Sequence, residues 1–261
     1  MGNKTLLLDR FANTPEDRPL LGWLLDLAET ARRRNTMQCS RFLDPRQQLA
    51  AQRLLEAAGE PFALWGGFDG AERRMAVLLP DRGKDWNPKE TDAIALLEAK
   101  TGTPGLTHRD YLGALMGLRL ERELIGDILV EEKGAQIFVC KEMASFLLDH
   151  FSGAGRARLT LTELPLSALS ATGPEPQSRR ATVSSLRLDC LAAAAFRLSR
   201  SDAAEAIQSG KLLLDGLPCD KPDRLLEPGR MLTLRGRGRA RLEKVEGLSR
   251  KGRVQVELLI W

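Results

Sequence analysis

The sequence predicts an α+β protein, and three patterns in its 261 residues carry that expectation. Near the start, Leu20, Trp23, Leu24, Leu27, Ala28 and Ala31 recur at helical spacing. In the middle, short β-prone runs alternate with helical ones. Toward the end, two short amphipathic helices precede three β-prone segments. At 43% hydrophobic and 28% charged residues the composition is that of a globular protein, not of a disordered chain.

Taken in order, Pro19 to Arg34 forms the first helix. Asp44-Pro45 opens a second, with an acceptor at the cap, a proline in the first turn, and Leu49, Leu54 and Leu55 on one face. Residues 1–60 are therefore expected to be a helical segment. From Phe62 the pattern shortens to two strands, Phe62–Phe68 and Arg73–Pro80, separated by an Asp69-Gly70 turn. A helix is expected across Pro88–Lys100, and another opens at the capping pattern Thr107-His-Arg-Asp and runs through Met116. Gly126–Val130 and Ala135–Cys140 return to strand, Lys141–His150 to helix and Arg158–Glu163 to strand. Residues 61–170 thus make a mixed α/β domain. Ala171 to Arg180 is rich in Pro, Gly and Ser and lacks apolar periodicity, which marks a linker at 171–181 before a last domain at 182–261.

The most specific signal lies between Ser185 and Gly216. Ser184 or Ser185 is placed to cap a short helix carrying Leu188, Leu191 and Ala195, with Arg187 and Asp189 on its polar sides. Another helix starts near Ser199, buries Ala203, Ala204 and Ile207, and stops at Gly210. Between them, Leu198-Ser199-Arg200-Ser201 sets a guanidinium and two hydroxyls at a helix N-terminus, where unsatisfied amides and the helix dipole favour phosphate. Lys211 then leads a strand into the Asp215-Gly216 turn, and Leu232–Arg235 and Val254–Ile260 complete a small sheet.

Charge follows the same division. From Arg179 onward there are 17 Lys or Arg against 10 Asp or Glu, a net +7, whereas the whole chain carries only +4. A local cationic excess of this kind suits RNA, because each neutralised phosphate releases condensed counterions. Candidate RNA contacts are Arg187, Ser199, Arg200, Ser201, Lys211, Arg235, Arg237, Arg239, Arg241, Arg250, Lys251 and Arg253. For the last two basic runs alone, solvated hairpin tips are the plainer alternative.

Other chemistry finds little support. Four scattered cysteines, Cys39, Cys140, Cys190 and Cys219, have neither zinc nor disulfide spacing. No spaced-glycine nucleotide loop occurs, so no cofactor and no metal are expected. No window approaches a membrane span and the first residues lack a signal-peptide core, so an intracellular protein is expected. His108, Arg109 and Tyr111 form a candidate second RNA contact, set against a helix cap and a core tyrosine. Trp65 and Phe68 are better read as core than as a base-stacking platform.

The helix–corner–helix residues and the strands that follow resemble the S4 domain, an RNA-binding unit of two helices on a small sheet. Further blocks, Arg41-Phe-Leu-Asp-Pro-Arg, Gly66-Gly-Phe with Ala71-Glu-Arg, Leu106-Thr-His-Arg-Asp-Tyr and Arg122-Glu-x-x-Gly-Asp, extend the resemblance to the YlmH family. Cyanobacterial and plastid relatives carry the label photosystem II S4 domain protein. The resemblance implies a helical N-terminal segment, an RRM-like middle domain and a C-terminal S4 domain. It implies a protein that binds rRNA, and tRNA, on the large ribosomal subunit in the cytoplasm or plastid stroma, in translation quality control; a monomer with no membrane partner is expected. The rival expectation is an rRNA-modifying enzyme of pseudouridine synthase or methyltransferase type carrying an S4 appendage, for which only Arg187-Leu-Asp189 speaks.

Overall fold

The computed structural model describes residues 2–12, 14–80, 86–170, 176–234, 236–249 and 252–261. The chain divides into two units, Met1–Gly173 and Pro174–Trp261.

In the first unit, helices α1 (Gly2–Phe11), α2 (Asp17–Arg34) and α3 (Pro45–Ala58) pack with strands β1 (Gln38–Leu43), β2 (Phe62–Trp65) and β3 (Arg74–Leu78). The strands form an antiparallel sheet in the order β1-β3-β2. Leu21, Leu24, Leu54, Leu55, Ala76 and Leu78 share its core. The start of α3 follows from its residues. Asp44 Oδ1 accepts from the Gln47 amide at 2.8 Å, Gln47 Oε1 accepts from the Asp44 amide at 2.9 Å, and Pro45 fills the first turn. The expected helical segment therefore contains a strand, and the β2–β3 hairpin shares the core of these helices.

The chain continues through β4 (Ile94–Lys100), α4 (His108–Gly117), β5 (Ile125–Glu131), β6 (Gly134–Cys140), α5 (Ala144–His150), the two-residue strands β7 (Gly153–Ala154) and β8 (Ala157–Arg158), and β9 (Thr160–Leu164). The long strands make an antiparallel sheet ordered β5-β6-β4-β9. This is a β-α-β-β-α-β unit with its first and third strands in the middle, the RRM-like arrangement. Pro88–Lys100 is thus a single 3-10 turn, Pro88–Glu90, followed by the central strand β4. Ile94-Ala-Leu-Leu-Glu-Ala-Lys consists of helix formers, but pairing on both edges and burial of Ile94, Ala95, Leu96 and Leu97 override that propensity.

The blocks that carry the family resemblance meet where these two sheets join. Asp127 accepts from the amides of Glu72 at 2.6 Å and Arg73 at 3.0 Å. Arg73 donates to the carbonyls of Ile125 and Phe42, both at 3.0 Å, and Arg122 donates to those of Ile125 and Gly126. Burial, together with the neighbouring Arg73, pulls the Arg122 guanidinium down to about 10. Gly126 is required here, since a Cβ would lie 2.7 Å from the Phe42 ring and 3.0 Å from Phe138 Cβ. These motifs hold one layer to the next.

The second unit begins with β10 (Gln177–Val183), followed by α6 (Leu188–Phe196) and α7 (Arg200–Gln208). Strands β11 (Leu212–Leu214), β12 (Leu217–Pro218), β13 (Met231–Leu234), β14 (Gly238–Leu248) and β15 (Val254–Ile260) complete a six-stranded sheet. Its order is β10-β15-β14-β13-β11-β12, with every pairing antiparallel. Leu188, Leu191, Ala203 and Ile207 of the helices share a core with Leu232, Leu242, Val256 and Leu258 of the sheet. Asp215 and Gly216, at φ 50° and 79°, make the two-residue turn between β11 and β12. Part of the predicted linker is strand: Gln177 to Ala181 is edge strand, paired along β15. Ala171 to Glu175 lies outside the described residues.

Candidate nucleic-acid interface

The two helices of the second unit meet through an unusual carboxylate. Asp189, in the first turn of α6, is 4% exposed. Its Oδ1 accepts from Arg187 Nε at 3.1 Å and from the Cys190 amide at 2.8 Å, and its Oδ2 accepts from Arg187 Nη2 and Arg200 Nε, both at 3.1 Å. Burial pushes this carboxyl up, but the hydrogen bonds from Arg187, Cys190 and Arg200 outweigh it and hold the group below the usual carboxylate range. One buried anion thus orders two cations, which remain 37% and 54% exposed at their side chains. Among the described residues, Arg187 Nη1 and both terminal nitrogens of Arg200 remain as further donors.

The hydroxyls expected to open α6 do not do so. Ser184 and Ser185 contact the Cys190 thiol, while the amides of Leu188 and Asp189 donate to the carbonyls of Arg224 and Pro222 at 2.8 and 2.9 Å. A loop closes that helix end, which also buries Asp189. The start of α7 follows the expectation. Ser199 is its cap and accepts from the Asp202 amide at 3.0 Å, and its hydroxyl lies 2.8 Å from that of Ser201. Arg200 and Ser201 occupy the first turn of the helix, where amides point outward toward an anion.

The remaining candidates are dispersed. Lys211 is exposed just after Gly210, whose φ is 67°. Arg237 donates to the Phe196 carbonyl at 3.4 Å, at the far end of α6. Arg239 and Arg241 alternate with buried Ala240 and Leu242, so they stand on the sheet face turned away from the helices, their guanidiniums 6.0 and 5.9 Å from the Trp261 ring centre. Arg241 is also paired with Glu243 at 2.8 Å. Arg253 is exposed after a turn. Arg235, Arg250 and Lys251 lie outside the described residues. The structure therefore brings Arg187 and Arg200 together on one side, and Arg239 with Arg241 on another.

In the first unit, His108 and Arg109 are exposed on the opening turn of α4, and partial desolvation, then the charge of Arg122, lowers the His108 imidazole. Tyr111 does not join them. It is 0% exposed within the core of the RRM-like unit, so no base can stack on its ring. Helical spacing explains this: Tyr111 and Leu115, four residues apart, are the buried face of α4. Phe68 stacks on Phe138 with ring centres 4.9 Å apart, and Trp65 packs against the same core.

Among the described residues no group of three or more His, Cys, Asp or Glu is placed to hold a metal ion. Burial pushes the Cys140 thiol up to about 12, far from a nucleophile's range. No helix among them is long and apolar enough to cross a membrane.

A curated relative of Bacillus subtilis (strain 168), the ribosome-associated protein quality control protein P2, is 31% identical over 244 residues, covering 92% of this chain and 94% of its own. The chain belongs to the YlmH family. Residues 93–168 match the family model described as a putative RNA-binding domain in YlmH, a span that coincides with the β4–β9 unit. A solved structure, the cell division protein ylmH from Streptococcus pneumoniae, aligns with a TM-score of 0.49 at 27% identity over 59% of this chain and 94% of its own.

Proposed function

We propose that this YlmH-family protein is a non-enzymatic adaptor that grips structured rRNA, and tRNA, on the large ribosomal subunit, and serves quality control of stalled translation in the cytoplasm. The observation that carries the reading is the arginine pair Arg187 and Arg200, ordered by buried Asp189 beside the open first turn of α7. Guanidiniums held in place by one partner lose little further freedom when they meet phosphate, and each has donors left to do so. The B. subtilis relative, whose name places it with ribosome-associated quality control, supplies the cellular setting. The match to a putative RNA-binding domain adds another RNA-facing unit within the chain.

The modifying-enzyme reading loses its one motif. A nucleophilic aspartate needs a free oxygen near substrate, whereas both oxygens of Asp189 are occupied and the residue is buried. Crosslinking the full chain to RNA in cells and sequencing what is bound tests the proposal. Large-subunit rRNA crosslinked to peptides from residues 174–261 is the expected product; messenger RNA or small-subunit rRNA as the dominant species contradicts it.

A further inference from the structure

An open cleft of about 520 Å³ lies at the C-terminal end of α6, lined by Gln177, Arg179, Ala195, Phe196, Arg197, Arg237 and Ile260. Three of these residues are arginines and none is acidic. Arg179 reaches in from the edge strand β10, its Nη1 donating to the Ala195 carbonyl at 2.9 Å. Arg237 enters from the turn between β13 and β14 and donates through Nη1 to the Phe196 carbonyl. Arg197 is the residue on which the helix ends, at φ 53°.

A structural purpose explains part of this arrangement, since cations suit the last carbonyls of a helix. It does not explain the amount. A helix C-terminus presents roughly half a negative charge. Three guanidiniums exceed that several-fold, and among the described residues none of the three forms an ion pair. Among the described residues, only Nη1 of Arg179 and of Arg237 is engaged with those carbonyls, which leaves Nε and Nη2 of each, and the whole of the Arg197 head, as donors. Such a concentration of like charge, pinned at two points by the backbone, is complementary to an anion with several oxygens.

We propose that this cleft is a further phosphate-binding site, which takes a phosphodiester of the same RNA that contacts Arg187 and Arg200. The inference rests on the RNA-binding reading above. The two sites bracket α6: Asp189 and its arginines stand at the first turn, the cleft at the last, and nine residues of helix separate the ends by about 13 Å. That distance is short enough for one RNA to reach the cations at both ends. Neither Arg179 nor Arg197 announces itself in the sequence. Arg179 lies in a polar stretch that reads as linker, and Arg197 has the character of an ordinary residue in a helix–helix turn.

The test is a salt titration of anisotropy for full-length protein and a labelled large-subunit rRNA hairpin, with wild type, Arg179→Gln/Arg237→Gln, Arg197→Asn and Arg200→Gln. Asn tolerates the left-handed backbone, so Arg197→Asn reads the cleft even if the double variant folds poorly. Each lost phosphate contact makes the slope of log affinity on log salt less negative by about 0.7 to 0.9. The expected result is a change of about 1.5 for the double variant and about 0.8 for Arg197→Asn. Unchanged slopes in the cleft variants beside a reduced slope in Arg200→Gln overturn the cleft and leave the RNA-binding reading standing. Absence of salt-dependent binding in wild type overturns both. Variants that lose only inhibition by inorganic phosphate, with hairpin affinity intact, show a free-anion site and also overturn the proposal.

Discussion

Arg200 Nε donates to Asp189 Oδ2 at 3.1 Å, so the first residue of α7 is fastened to the first turn of α6 by one buried carboxylate that also holds Arg187. The geometry of the basic corner depends on an acid.

Asp189→Asn makes the protein more positive, and charge alone predicts tighter RNA binding. The structure predicts the reverse, because the two guanidiniums lose their shared acceptor and must be ordered on binding. At about 0.5 to 1.5 kcal/mol for each side chain immobilised, affinity falls about tenfold. Anisotropy at fixed salt reads this directly, and a rise in affinity contradicts it.

The same carboxyl sets an acid limit. Its folded-state pKa lies below the ordinary value of 3.8, so the unfolded chain takes up the proton first as pH drops. The stabilisation is therefore complete above that value and is lost as pH falls through the folded one. Wild type should exceed Asp189→Asn in denaturant stability at neutral pH, with the gap closing below about pH 3.8; a constant gap counts against the ion-paired assignment.

Arg200→Glu should weaken binding far more than Lys89→Glu. Reversing Arg200 removes a phosphate donor and sets another acid against Asp189. Lys89 lies in the first unit, paired with Asp69 at 2.9 Å and 4.9 Å over the Trp65 ring. Equal losses in ribosome co-sedimentation, with circular dichroism confirming both folds, speak against the assigned surface.

Much of this corner is legible in the sequence because its signals are local. Ser199 can cap only the helix that follows it, and Gly210 supplies the left-handed stop. The role of Asp189 is hidden, because a loop distant in sequence, supplying the carbonyls of Pro222 and Arg224, buries what reads as a polar helix surface. Arg179 is obscured differently: only Ala181 and Val183 turn inward beside it, too little alternation to distinguish an edge strand from a linker. Strand β4 reads as helix because two-sided burial removes the polar alternation that marks a strand. The family blocks are visible as motifs, yet their work, joining two sheets through Asp127, Arg73 and Arg122, depends on contacts some fifty residues apart.

Gly126→Ala tests that joint. The added methyl meets the fully buried Phe42 and Phe138, and overpacking at such a site typically costs about 1 to 3 kcal/mol. Chemical denaturation should show that loss; a change below about 0.5 kcal/mol, the range of neutral surface substitutions, contradicts the packing described.

The central claim, that the C-terminal unit, with its net +7 from Arg179 onward, grips RNA through phosphate, is tested most directly by the salt dependence of binding between the full chain and a large-subunit rRNA hairpin. With about four phosphate contacts, log affinity should fall against log salt with a slope of roughly −3. A slope near zero contradicts the account.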